Sequence, residues 1–315
     1  MNLFYDEGWK RERETFAASG RGKDKTGFWQ RKRGPKMKKK LFYLCYTPAV
    51  LSLGILYCFL YRTGVSNQTG FYVGDNFLLP VFYLSGLFLL AGLYLWSVRS
   101  AAKSEGTSAE GNSFLWGVSS ILCGVLLLLR ALNEVRQLVG PFWGQESVPV
   151  KNIILPGLDG ILSLAAALSF VVLGIRLLNQ NLHLYRYSLG LLWIVFWSAF
   201  RLVVRFGQLP MAFRMPQRLL EVLLMTAQCL FFLEESHILC NVIGQKSYRR
   251  ALFSGHAAAA IGLIWCICPL MAGDLSFSDL SQMLDYSLEW GIILFVSSFS
   301  FFITPPNSKT QSTLS

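Results

Sequence analysis

The sequence predicts an all-α integral membrane protein of about eight transmembrane helices, with both termini cytoplasmic and the helices grouped as up to four hairpin units. Three observations carry that reading. Of 315 residues, 53% are hydrophobic and only 15% charged, whereas a soluble domain carries roughly a quarter charged residues. The charges crowd at one end: residues 1–40 hold thirteen Lys/Arg and five Asp/Glu out of a whole-chain net charge of +11. The remainder is nearly charge-balanced and broken into apolar runs of the length, about 20 residues, that crosses a hydrocarbon layer about 30 Å thick.

The chain divides into a basic tail over 1–40, a helical bundle over 41–304 and a short tail over 305–315. The first 36 residues have no apolar period and are expected to be disordered, lying on anionic headgroups, where each basic side chain contributes about 1 kcal/mol. A second reading is that the protein begins at Met37. Met37 opens a Lys38-Lys39-Lys40 flank before the apolar Leu41-Phe42-Tyr43, as a bacterial membrane protein does, and Lys32-Arg33-Gly34 can be encoded by a purine-rich stretch like a ribosome-binding site. An intact mass of the native protein distinguishes the two.

The expected spans are 41–61, 76–96, 113–132, 153–177, 188–206, 219–239, 251–271 and 284–303. The third is expected to run on toward Leu138. Polar and Gly-rich segments separate the first pairs. Pro141, Pro149 and Pro156 bracket the third break, Pro210 and Pro216 the fifth, and Pro305-Pro306 stops the last helix. The starts at 41, 113, 188 and 251 are spaced evenly enough to suggest four hairpins.

Orientation follows the bias of Lys and Arg toward cytoplasmic segments. With the N-terminus inside, 21 basic residues fall on inner segments and 8 on outer ones. Without the tail the counts are equal, so the orientation rests on the flank at Lys36 to Lys40. The expected location is the plasma membrane.

Ionisable groups within spans are costly and point to a bundle interior. On the fifth span Trp193, Trp197, Arg201 and Arg205 recur every four residues, which stacks two rings and two guanidiniums on one stripe. On the sixth, Glu221, Gln228 and Glu235 recur every seven, again on one face. Arg130 and Glu134 can pair one turn apart at the end of the third span. Asp159 opens the fourth within Pro156-Gly157-Leu158-Asp159-Gly160, a poorly helical stretch, and Asp285 and Glu289 open the eighth. Odd-numbered spans thus end in Arg where even-numbered ones begin with an acid; the seventh, ending in Cys268-Pro269, lacks the Arg.

These eight residues, Arg130, Glu134, Asp159, Arg201, Arg205, Glu221, Asp285 and Glu289, form the candidate polar pocket or structural ion-pair network. Residues near helix ends can snorkel to the headgroups at little cost. Arg201 lies deeper and requires a carboxylate, Glu221 or Asp159 by position. Elsewhere Glu234 and Glu235 face Lys246, Arg249 and Arg250, as an inner-surface salt bridge would. His256 reads as hydrogen-bonded structure, and Asn67-Gln68-Thr69 matches a glycosylation acceptor in a loop too short to use it.

The chain contains no P-loop, HExxH or GxSxG. Its seven cysteines have no metal-ligand spacing and read as small hydrophobes. No catalytic residue, metal or cofactor is expected. The expected partners are the bilayer, anionic lipid under the tail, and an unknown protein or small solute, with no nucleic acid. The leading reading is a non-enzymatic module for sensing, scaffolding or accessory work. The alternative is a small-solute transporter or channel with an outward-facing polar pocket, and an intramembrane enzyme acting on lipid ranks third.

Overall fold

The structure, a computed structural model, describes residues 35–64, 77–101, 113–143, 151–179, 188–207, 216–240, 245–272 and 280–302. The tail up to residue 34, the Asn67 sequon and the interhelical breaks lie outside them. The described residues form eight helices: α1 Pro35–Gly64, α2 Leu78–Ala101, α3 Ser113–Trp143, α4 Lys151–Leu178, α5 Ser188–Gly207, α6 Pro216–Leu239, α7 Gln245–Ala272 and α8 Leu280–Phe302. Seven of them, α1 to α7, are long and apolar enough to cross a membrane, so the protein has the architecture of a polytopic membrane protein. Helix α8 falls short because Asp285, Tyr286, Glu289 and Trp290 dilute the apolar character of its first half.

The chain separates into two compact units, Met1–Cys45 and Tyr46–Ser315. The described part of the first is the opening of α1, where the Phe42 and Tyr43 rings meet edge to face at 5.5 Å. The second is a bundle whose consecutive helices alternate in direction. Packing across the expected hairpin boundaries, α4 on α5 and α6 on α7, is at least comparable to that within the α5–α6 and α7–α8 hairpins, and only α3 on α4 clearly exceeds it. The contacts therefore do not mark out four units.

Several helix boundaries differ from the sequence reading. Helix α3 runs past Leu138 to Trp143 and takes Pro141 into its last turn. Pro156 lies inside α4, and the stretch from Pro156 to Gly160 is continuous helix. Pro156 is past the first turn, so it forfeits one intrahelical bond, to the Asn152 carbonyl, and the helix continues on the bonds either side of it. Pro216 is the first residue of α6, a position that suits its fixed φ.

Helix α7 is the hub. Seventy-two per cent of its apolar window is buried, against 11% for the peripheral α2. Its run Ala257-Ala258-Ala259-Ala260 is buried at all four positions. Four successive residues point about 100° apart, so small side chains on every side let neighbours approach from all directions.

The α3–α4 pair is the closest. A Cβ at Gly124 would lie 2.7 Å from Val171 Cγ2 and 2.9 Å from the Ala167 carbonyl, and one at Gly174 would lie 2.5 Å from Ile121 Cγ1 and 2.7 Å from the Gly117 carbonyl. Gly117 and Gly124, like Ala167 and Gly174, are seven apart, which keeps the small residues on one seam. Between them Ser120 Oγ donates to the Phe170 carbonyl at 2.7 Å. The core beneath is aromatic: Phe170, Phe231, Phe232, Phe295 and Phe299 are all fully or almost fully buried and meet largely edge to face, the favoured geometry for rings. Large apolar side chains such as Leu87, Phe88, Ile161 and Val203 point outward, as lipid-facing residues of a bundle must.

Candidate functional site

The charged residues collect where α3 and α5 end and α4, α6 and α8 begin. Alternating helix direction brings all five termini to one end of the bundle, here called the arginine end. The network has three parts.

The deepest is Arg201 on α5 with Glu289 on α8. Arg201 Nη1 donates to Glu289 Oε1 at 2.7 Å, and Gln228 Nε2 on α6 donates to Glu289 Oε2 at 2.6 Å. Both carboxylate oxygens are thus occupied, and all three side chains are buried. The Arg201 guanidinium also lies over the Trp197 ring, 5.7 Å from its centroid. Trp197 is oriented by donation from Nε1 to Ser163 Oγ on α4 at 3.1 Å.

This corrects the expected partner of Arg201, which is neither Glu221 nor Asp159. A helix turn advances 100° per residue, and at position 289 the face of α8 turns inward to Leu288, Ile292 and the core, where Arg201 reaches it. The Trp193 to Arg205 stripe is also partial. Trp197 and Arg201 are buried, whereas Trp193 is exposed, because a four-residue step drifts about 40° round the helix.

The second part centres on Arg130 of α3. Its Nη2 lies 3.0 Å from Glu134 Oε1, one turn on, and 3.0 Å from Asp159 Oδ2 of α4. Its Nε lies 2.9 Å from Asp285 Oδ1 of α8. One guanidinium therefore gathers three carboxylates from three helices. The third part is Arg205, whose Nε lies 3.3 Å from Glu221 Oε1 of α6. Asp285 and Glu289, one turn apart, serve different arginines.

Not every buried polar atom here is satisfied. Arg201 Nε, Arg130 Nη1, Glu134 Oε2 and Asp159 Oδ1 have no hydrogen-bond partner among the described residues, although most buried polar atoms in proteins have one. They border space. A cavity of about 420 Å³ is lined by Arg130, Glu134, Asp159, Arg201, Arg205 and Asp285, with Leu155, Val204 and Leu284 supplying apolar wall. A second, of about 280 Å³, shares Arg201, Arg205 and Asp285 and is walled by Glu221, Trp265 and Tyr286. The stacked Trp265 and Tyr286 rings, 4.8 Å apart, belong to it.

At α7 the missing terminal arginine is replaced from α1. Arg62 Nη2 donates to the Met271 carbonyl at 2.8 Å, which puts a cation at the α7 C-terminus, where the backbone carbonyls lack partners.

At the opposite end, the expected salt bridge involves Glu234 alone, which meets Arg250 at 3.4 Å and His237 at 3.6 Å. Arg249 lies instead over the Tyr94 ring at 5.8 Å. Lys246 lies outside the side chains described. Glu235 turns away from this surface. It shares the inward face of α6 with Glu221 and Gln228, is 3% exposed, and its Oε1 has no partner among the described residues. His256 is packed as structure: Nδ1 lies 2.7 Å from the Leu252 carbonyl and its ring contacts Trp96 and Tyr46.

Among the described residues no group of three or more His, Cys, Asp or Glu could hold a metal ion. Compared with protein-family models, curated proteins and solved structures, the chain matches none.

Proposed function

We propose that this protein is a non-enzymatic membrane module that recognises a small charged solute in the cavity at its arginine end. The observation that carries this reading is Arg201: buried, fixed by Glu289 and Trp197, lining both cavities at this end, and with an Nε that has no acceptor among the described residues. Structural ion pairing alone would bury that atom against a partner, since an unsatisfied buried polar group costs about 1–3 kcal/mol. A solute bringing an acceptor removes the cost. In this reading α8 is an eighth span, both termini are cytoplasmic, the arginine end faces outward, and the basic tail rests on anionic lipid of the plasma membrane.

Sensing or accessory work is favoured over transport by the layer of Phe231, Phe232, Phe295 and Phe299. It separates Gln228 and Glu289 from Glu235, so the described polar groups form no continuous path along α6. The continuous helix at Pro156–Gly160 also lacks the unwound backbone found at transporter midplane sites. The experiment is a thermal-shift screen of the full chain in lipid nanodiscs against a panel of charged metabolites, repeated with Arg201→Lys. Saturable stabilisation that the variant loses supports the reading; stabilisation by no member of the panel opposes it. Solute flux into proteoliposomes would instead favour the transporter reading.

A further inference from the structure

Helices α1 and α7 run side by side in one register, and two cysteines fall on it. Tyr46 Oη donates to the His256 carbonyl at 2.8 Å, across 210 positions of the chain. About two turns on, a Cβ at Gly54 would lie 3.9 Å from Ile264 Cα, so the backbones approach closely there. Arg62 then donates to the Met271 carbonyl, 209 positions away. Cys58 and Cys268 stand between these contacts, at the same offset.

Their thiols hydrogen-bond each other. Both side chains are buried in the apolar cluster that also holds Leu53, Tyr57 and Ile264. Cys266, two residues before Cys268, points about 200° away round the helix and belongs to the other core cluster, with Phe295 and Phe299. A disulfide needs its two Cα atoms within about 7 Å, a demand favoured by the close backbone approach one turn earlier and by thiols already in contact. The pair is also shallow. Cys58 lies six residues before the end of α1 and Cys268 four before the end of α7, about 9 Å and 6 Å along the helix axes. Ile55, Phe59, Leu270 and Met271 beside them are exposed.

We infer that Cys58 and Cys268 form a reversible disulfide that tethers α1 to α7 at the arginine end. The oxidant is a small disulfide of the glutathione type. One protein thiolate attacks it, forming a mixed disulfide and releasing one small thiolate. The second protein thiolate then attacks the mixed disulfide and releases the other. Two protein thiols are oxidised, one small disulfide is reduced, and both protons pass to the released small thiols. The outward orientation proposed above sets this end on the side where thiols oxidise; the pairing itself does not depend on it. The tether holds α1 against the helix whose Trp265, nearly one turn before Cys268, walls the smaller cavity.

The test is oxidation of the full chain with oxidised glutathione in lipid nanodiscs, which expose both ends, followed by alkylation, proteolysis and mass spectrometry. The expected product is a peptide pair joined through Cys58 and Cys268, short of two hydrogens and separated again by reduction. Cys58→Ser and Cys268→Ser should each remove it, and Cys266→Ser should leave it. Oxidation should raise Tm in the unaltered chain and not in Cys58→Ser, because a crosslink closing so long a loop limits the unfolded chain. Glutathione adducts without the crosslink overturn the inference, as does a crosslink from either cysteine to a different one or to a second copy. Failure of both thiols to react overturns it too. Mapping the unaltered chain is decisive even if a serine variant folds poorly. The solute-binding reading stands or falls separately, on the metabolite screen.

Discussion

The guanidinium of Arg201 lies 2.7 Å from the carboxylate of Glu289, 88 positions away in the chain and wholly within the bundle. With Gln228 on the other oxygen, this pair joins α5, α6 and α8 through one carboxylate. Arg201 itself lines both cavities of the proposed site.

Arg201→Leu should lower thermal stability, because it leaves Glu289 buried with Gln228 alone. Removing one partner of a buried pair costs about 3–5 kcal/mol. Adding Glu289→Leu should recover a large part of that loss, since two apolar side chains leave no orphaned charge. Unfolding curves of the two single variants and the double variant in detergent check the coupling, and additive losses would contradict the pairing.

Arg130→Lys should also destabilise, although it keeps the charge. Arginine presents its donors as a planar fork, whereas an ammonium is a point charge on a flexible stem. It cannot hold Glu134, Asp159 and Asp285 at three separate positions. The expected cost is about 1.5–3 kcal/mol for each charge-assisted bond lost, seen as a lower Tm.

Glu235→Leu should raise stability. Glu235 is buried with an oxygen that has no partner among the described residues, and removing such a group relieves a penalty of about 1–3 kcal/mol. A higher Tm with unchanged folding yield is the expected measurement; a lower one would give Glu235 a role that this geometry does not contain.

Gly174→Val should disrupt the α3–α4 contact. Its Cβ alone would enter the space of Ile121 and the Gly117 carbonyl, and backbone cannot yield as a side-chain tip does. Overpacking of this kind costs about 1–3 kcal/mol or more. Gly92, with nothing within 4 Å of its Cβ position, is the control, and Gly92→Ala should leave Tm almost unchanged.

The helices were legible in the linear chain because each one is a local property. An apolar run of membrane-spanning length needs no knowledge of its neighbours to be recognised, and seven runs from Phe42 to Cys268 meet that requirement. The pairing of Arg130 with Glu134 and the shared face of Glu221, Gln228 and Glu235 were legible for the same reason, since helical period alone sets them. Proline positions misled at Pro156, where the loss of one backbone bond was too small to end the helix.

What the linear chain could not supply was the choice among long-range partners. Arg201 had several acids at the same membrane depth, and depth was all that sequence offered. Glu289 was selected by the rotation of α8 about its own axis, which packing against the aromatic core decides. The same holds for Asp285 at Arg130, for Arg62 at the end of α7 and for the inward turn of Glu235. Each depends on how helices are rotated and shifted against one another, and that is a property of side-chain packing in three dimensions rather than of spacing along the chain.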